Sequence, residues 1–436
     1  LPYYPLDKPL PRAIFVEDKQ FKKLPRATYP NFSILLENYG IKIRYNLISK
    51  NCDISVPALN YSQDNKDNAS LADILSIHKL NGIETRCIES YILKNADLNQ
   101  YNPIVEFINS APWDRTSRLN DLYNTIETQP SFPLEMKELL LKKWLISGVA
   151  AAQHRGFYSK GVLVFQGDQS LGKTPWFEKL LPPEITQYFI GGCTLDPAER
   201  DSVKKAVSHW IVELGELDST FKKDIARLKA FITNNEDILR LAYAPKESRF
   251  SRRTIFCGSV NPVEFLIDST GNHRFWVVPV IKLDYTHEIN MQQLWAEVDE
   301  LYKSGEQWWL TQEEEAELEI QNQTHFKTSH LEEKFLDQFG LNSYSDEAAQ
   351  TKGQGVQREW TASDVLVQLN SPVTKSLKDE MVQVLLKLGT KRLSHNKKFL
   401  LLLNNKDDSF EGHKEIKNQL PDNVQASDNN KEGNIF

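Results

Sequence analysis

Between residues 31 and 100 two hydrophobic patterns alternate. FSILLENYG and LADILSIHKL space their apolar residues as a helix does, whereas IKIRYNLI and CDISVPAL read as strands, so a small α+β module is expected there. Residues 1–30 are rich in proline, show no sustained periodicity and read as an extended arm. The stretch YNPIVEFINSAPWDRTSRLNDL, residues 101–122, predicts a helix on either side of a Pro-Trp-Asp turn, and LEMKELLLKKWLISGVAAAQ predicts another over about 134–153. That helix leads into GVLVFQ, a short β-branched run with the character of a buried strand. WIVELGEL, TIFCGSV and FWVVPV follow as further strands with helical material between them, the alternation of a three-layer α/β sheet spanning residues 101–312. Beyond it, the charged QEEEAELEIQNQ, then WTASDVLVQL and VQVLLKLGTKRLSHNKKFLLLL, give a helical, winged-helix-like module over 313–403. Residues 404–436 are mostly Asn, Asp, Lys and Glu with little to bury, and are expected to be disordered.

Composition narrows the function classes only modestly. The formal charge of −7 excludes a general polycation, so any nucleic-acid contact must come from a local basic patch. Cys52, Cys87, Cys193 and Cys257 form no CxxC pair, which argues against a zinc ribbon and a disulfide framework. No apolar run approaches the roughly 18 residues that span a bilayer, and the first residues carry no apolar signal core, so a cytoplasmic protein without a membrane partner is expected.

The strongest chemical signal is Gly167, Asp168, Gln169, Ser170, Leu171, Gly172, Lys173 and Thr174, which fit GxxxxGK[ST]. The glycines let the backbone turn its N–H groups toward phosphates, Lys173 supplies charge, and the Thr174 hydroxyl can ligate magnesium, so ATP and Mg2+ are the expected cofactors. A chance match arises in roughly one or two such chains in a hundred. Here the motif follows an apolar strand and opens onto the helical TPWFEKLL, with Pro175 near its first turn, and that context favours the functional reading.

Such a site needs a carboxylate that reaches magnesium and a base that orients water. Glu213 and Glu216 both lie just past the apolar run WIV; Glu213 is the expected metal-side acid, with Thr174, and Glu216 its partner or the base, unless one of them is only a solvated strand-end charge. The strand TIFCGSV closes on Asn261, placed to sense the γ-phosphate and hold the water, although Asn-Pro can equally be a turn. Arg274, on the loop before FWVVPV, suits an arginine finger that completes a neighbouring subunit's site, or is a surface arginine.

In order along the chain, NPIVEFINSAPWDRTSRL, FQGDQSLGKTPWFEKL, WIVELGELD, LKAFITNNEDILRLAYAP, SRRTIFCGSVNPVEFL and DSTGNHRFWVVP resemble the virulence-associated protein E family, related to superfamily 3 helicases and phage primase-helicases. The likeness covers roughly residues 103–280. It implies an AAA-like P-loop NTPase core that assembles as a hexamer or another ring. It also implies a hairpin, between the acidic and asparagine strands, that meets single-stranded DNA. That region holds Lys229, Arg240, Lys246, Arg249, Arg252 and Arg253 with Tyr243 and Phe250 among them, cations for phosphates and rings for bases, or else a solvated, salt-bridged helix face. Where the family commonly shows two adjacent arginines this chain has His273 and Arg274, so the finger role falls to Arg274 alone.

The expectation is therefore an ATP-dependent helicase or translocase in the replication of a mobile genetic element, working with a primase or replication-initiation partner. The N-terminal module shows no set of carboxylates that reads as a primase centre. A nucleotide-dependent oligomeric switch would share the loop but ignore DNA. A small-molecule kinase would leave the basic-aromatic segment unexplained.

Overall fold

Phe32, Leu35, Leu36 and Tyr39 fall on one face of helix α1 (Tyr29–Tyr39), and that face is buried. Strand β1 (Lys42–Asn46) pairs antiparallel with β2 (Cys52–Ser55), helices α2 (Lys66–Leu80) and α3 (Ile88–Leu98) follow, and β3 (Gln100–Tyr101) joins β1 in parallel. The computed structural model of the chain describes residues 3–16, 25–57, 59, 61–62, 65–215, 217, 227–240, 246–262, 266, 272–322, 325, 330–339, 355–388, 392–393 and 398–404. Within these the proline-rich arm is not extended throughout, since it carries a turn over residues 6–8 and a 3-10 turn at Arg12–Ile14, and it is bound. Leu10 and Phe15 join the core of the α+β module, the Leu10 N–H donates to Asn81 Oδ1 at 2.8 Å, and the Tyr39 hydroxyl donates to Lys8 O at 2.7 Å.

The Pro-Trp-Asp turn lies between α4 (Pro103–Ile108) and α5 (Leu119–Asn124), the first capped by Asn102, whose Oδ1 accepts from the N–H groups of Ile104 and Val105. Then come β4 (Ile126–Thr128), α6 (Leu134–Gln153), β5 (Val162–Gln166), α7 (Lys173–Lys179), β6 (Phe189–Cys193), α8 (Arg200–Val207) and β7 (Ile211–Leu214). The hairpin β8 (Glu236–Leu239) and β9 (Ser248–Ser251) precedes β10 (Ile255–Val260), β11 (Phe275–Leu283), α9 (Met291–Lys303) and α10 (Gln312–Asn322).

Six strands form one sheet in the order β4-β11-β5-β10-β7-β6, parallel except for β4, which makes this a mixed α/β fold with a parallel-rich sheet. Every residue of β5 is buried, which is why GVLVFQ shows an unbroken apolar run rather than alternation. Buried tryptophans pin the helices to this frame: Trp144 on α6 donates to Phe256 O at 2.8 Å, and Trp295 on α9 donates to Leu180 O at 2.9 Å. Strand β5 connects rightward across the sheet to edge strand β6, whereas β10, its neighbour, connects back across β5 to β11. Loops that leave adjacent parallel strands in opposite directions open a crevice at their C-terminal ends.

The chain forms two compact units, Leu1–Lys327 and Thr328–Phe436. The charged helix α10 belongs to the first, not to the C-terminal part that was expected to begin at 313: Leu318 enters the main core and Asn322 Nδ2 donates to Phe275 O at 3.0 Å. In the second unit α11 (His330–Phe339), β12 (Gly355–Thr361), α12 (Ala362–Gln368), α13 (Lys375–Lys387), β13 (Arg392–Leu393) and β14 (Lys398–Asn404) follow in order, with β14 between β12 and β13. Thr361 and Asp364 cap α12 reciprocally, and Phe335, Val365, Leu366, Met381, Leu385 and Phe399 share its core. The tail expected to be disordered lies, from residue 405 on, outside the described residues. Among the described residues no helix is long and apolar enough to cross a membrane.

Candidate functional site

Gln166 ends β5 and Lys173 opens α7, so the motif's loop leaves β5 at the mouth of the crevice. Ser170 and Gly172 both adopt left-handed backbone, with φ of 64° and 78°. Gly172 is required twice over, because a Cβ there would also stand 2.2 Å from the Tyr285 ring. Asp168, Gln169 and Ser170 are exposed, and Leu171 is half-buried. Lys173 is buried; its Nζ donates to Gly167 O at 2.6 Å, to Asp168 O at 2.7 Å and to Asn261 Oδ1 at 2.9 Å. Burial pushes the Lys173 pKa below its ordinary value, against the pull of Asp168 and Glu213. The contact between Lys173 and Asn261 spans the β5/β10 crevice, so the asparagine is not merely a turn former.

Glu213, on β7, is 1% exposed. Its Oε1 accepts from the hydroxyls of Thr174 at 2.7 Å and Ser259 at 2.9 Å, and its Oε2 accepts from the Gly192 N–H at 3.2 Å. The glycines of β6 have two different reasons: a Cβ on Gly191 would meet Thr174 Cγ2 at 2.8 Å, and Gly192 adopts left-handed backbone with φ of 60°. Ser259 and Gly192 were not visible as site residues in sequence. Ser259 lies on β10 two residues before Asn261, which follows the strand's last residue, and that short spacing at the strand's end is the signal that could have found it. Glu216 lies outside the described residues. A buried carboxylate beside a loop hydroxyl, with an ammonium on the other side of the loop, is a donor set that fits a divalent cation carrying phosphate oxygens.

A model of the virulence-associated protein E-like domain matches residues 108–327, half of the 436-residue chain. The chain belongs to the virulence-associated protein E-like family. Among solved structures it is similar to the apo structure of the NrS-1 C terminal region (305–718), at 15% identity, with 86% of this chain and 98% of that one covered and a TM-score of 0.43. The A form apo structure of the same region covers the same shares at 14% identity and a TM-score of 0.41. No curated protein matches the chain.

In this virulence-associated protein E-like chain the basic segment divides by burial. Arg240, Lys246 and Arg249 are exposed, the last paired with Glu236 at 2.6 Å across the β8–β9 hairpin. Arg252, expected among the DNA contacts, is instead fully buried: its Nε and Nη2 donate to the two carboxylate oxygens of Asp237 at 2.8 and 2.7 Å, and its guanidinium lies over the Phe231 ring. A cation so enclosed holds the root of the hairpin and has no surface to offer a strand. Lys229 is also buried, and half-buried Arg253 donates to Ala152 O at 2.5 Å, so these two are likewise framework residues. Tyr243 lies outside the described residues.

Arg274 precedes Phe275, which pairs with Val162 at the start of β5, while the loop of the GxxxxGK[ST] motif leaves the other end after Gln166. Four strand steps put these ends roughly 13 Å apart, so the backbone of Arg274 lies at the opposite end of the strands from the chain's own loop. Burial pushes the His273 pKa below its ordinary value, leaving that ring uncharged at neutral pH and unable to replace a second arginine's charge.

Proposed function

We propose that this virulence-associated protein E-like chain is an ATP-hydrolysing motor that moves along single-stranded DNA in the replication of a mobile genetic element. The observation that carries the proposal is the 2.7 Å contact of Thr174 with buried Glu213, beside the contact of Lys173 with Asn261. A phosphate-type loop leaving the strand beside the sheet's crevice, with acid and asparagine in reach from neighbouring strands, supports a P-loop NTPase core of the AAA-like kind. In the second unit, the order of helix, strand, two helices and two strands supports a winged-helix module.

Residues 167–174 cradle the triphosphate of ATP, and the Lys173 ammonium balances charge on its β- and γ-phosphates. Thr174 and Glu213 would hold Mg2+, which would supply positive charge beside the phosphates. Asn261 and Glu216 orient the attacking water, with Glu216 as base or as partner of Glu213. Arg274 acts on the site of an adjacent copy in a hexamer or another ring, a role that its position at the other end of the strands from its own loop supports. Arg240, Lys246 and Arg249 meet the phosphates of the strand. A primase or replication-initiation partner and a cytoplasmic setting accompany this reading.

Steady-state ATP hydrolysis with and without single-stranded DNA, beside Lys173→Ala, tests it. DNA-stimulated hydrolysis that vanishes in the variant is expected. Lysine-dependent hydrolysis that ignores DNA would overturn the motor in favour of a nucleotide switch.

A further inference from the structure

Tyr285 follows β11 directly and stands against the phosphate loop, its Cδ1 and Cε1 at 2.2 and 2.3 Å from where a Cβ on Gly172 would be. The ring is nevertheless 43% exposed. The turn that carries this exposed ring beside the loop is itself held in place. The Asp284 N–H donates to Thr125 O at 2.8 Å, and Asp284 Oδ1 accepts from the Thr286 N–H and hydroxyl at 3.0 and 2.7 Å, so the turn is fixed on both sides of Tyr285. Thr125 in turn accepts from Trp176 Nε1 at 2.8 Å, which ties this turn to α7, the helix that follows the loop. Two residues on, His287 is 8% exposed, and neither ring nitrogen has a hydrogen-bond partner among the described residues. Buried polar atoms left without partners mark places where a ligand or water completes the bonding.

We propose that Tyr285 is the platform on which the base of the bound nucleoside triphosphate stacks. This rests on the nucleotide reading of the loop and adds to it the surface that meets the base. Every nucleobase presents a π-face, and a ring fixed before the ligand arrives stacks without an ordering cost. The platform therefore favours nucleotides over bare polyphosphate without choosing strongly between bases. His287, uncharged because burial lowers its pKa, offers one donor and one acceptor in the same turn.

The test is calorimetric titration of the full chain with ATP and, separately, inorganic tripolyphosphate, both with magnesium, for wild type, Tyr285→Phe, Tyr285→Leu and Tyr285→Ala. Stacking predicts that the Leu and Ala variants bind ATP about tenfold more weakly, that Phe keeps wild-type affinity, and that tripolyphosphate binding is the same in all four. The Leu variant keeps the bulk against Gly172, so a loss confined to Ala identifies a mere prop for the loop and overturns the platform. Equal weakening of both ligands, or unchanged ATP binding in Leu and Ala, also overturns it while leaving the nucleotide site standing. A wild-type chain that binds neither ligand overturns the nucleotide reading itself.

Discussion

Thr174 and Glu213, 39 positions apart in the chain, are joined by a 2.7 Å hydrogen bond between a loop hydroxyl and a buried carboxylate. The pair lies near the C-terminal ends of β5 and β7, with the Ser259 hydroxyl and the Gly192 N–H also donating to the acid. A carboxylate held by three donors is fixed in position before any cation arrives, the condition for strong charge stabilisation without reorganisation.

Removing that charge while keeping its shape gives the first prediction. Glu213→Gln is expected to lower kcat for ATP hydrolysis by about a hundredfold or more while leaving ATP binding within a few fold. Thr174→Ala should act in the same direction, and Thr174→Ser, which keeps the hydroxyl, should retain most activity. Steady-state hydrolysis alongside ATP titration checks this. Wild-type turnover in Glu213→Gln would remove the acid from the mechanism.

The basic segment yields a second prediction, because its residues differ in burial. Arg252→Ala leaves Asp237 buried and unpaired and should cost about 3–5 kcal/mol of stability, read from denaturant midpoints. Arg249→Ala and Arg240→Ala should leave the midpoint unchanged but weaken single-stranded DNA binding. Each should lower the slope of log affinity against log salt by somewhat under one. If DNA binding ignores the exposed arginines, the hairpin is not the contact surface.

Lys50 provides a pH-dependent prediction. It is 1% exposed at the tip of the β1–β2 hairpin, its Nζ donates to Val207 O at the end of α8, and burial lowers its pKa from 10.5 to about 7. Between pH 7 and 10.5 the unfolded chain holds this proton and the folded chain does not, so this group makes stability rise with pH through that window. The slope approaches about 1.4 kcal/mol per pH unit, and below pH 7 it is flat. Thiols titrate in the same range with opposite sign, since burial holds folded Cys52 protonated up to about 11. The difference between wild type and Lys50→Met in denaturation at pH 7, 8 and 9 isolates the lysine. Parallel curves would show that Lys50 stays charged when folded.

A fourth prediction concerns Arg274. Because it stands at the other end of the strands from its own loop, Arg274→Ala should bind ATP normally yet hydrolyse it at least about a hundredfold more slowly. Mixed with Lys173→Ala subunits, it should regain part of the activity, since each variant supplies what the other lacks. Mixtures no more active than the separate proteins would argue against a shared site.

Much of this was legible along the chain. Residues 134–153 form the expected helix, and the strands foreseen in VLVFQ, WIVEL, TIFCGSV and FWVVPV are all in the central sheet. Their patterns are strong because parallel strands are covered on both faces and turn apolar throughout. Edge strand β6 escaped notice because FIGGC is short and glycine-rich, with Gly191 kept for close approach to Thr174 and Gly192 for its left-handed backbone rather than for strand propensity. Charge patterning misled at Arg252 and Lys229, because a basic residue written in sequence does not say whether its carboxylate partner or the solvent will face it.

By itself the sequence determined the GxxxxGK[ST] motif, since its eight residues are contiguous and its glycines, Lys173 and Thr174 each answer to a local backbone or side-chain requirement. It also determined which runs would be buried strands, because two-sided burial leaves an apolar signature that needs no partner to be read. Tertiary structure alone decided that Ser259 and Gly192 complete the hold on Glu213, that Asn261 reaches Lys173, that Tyr285 leans on Gly172 and that Arg274 lies at the other end of the strands from its own loop. Those relations depend on strand order and register, and strand order is chosen by the packing of the whole sheet rather than by any one segment.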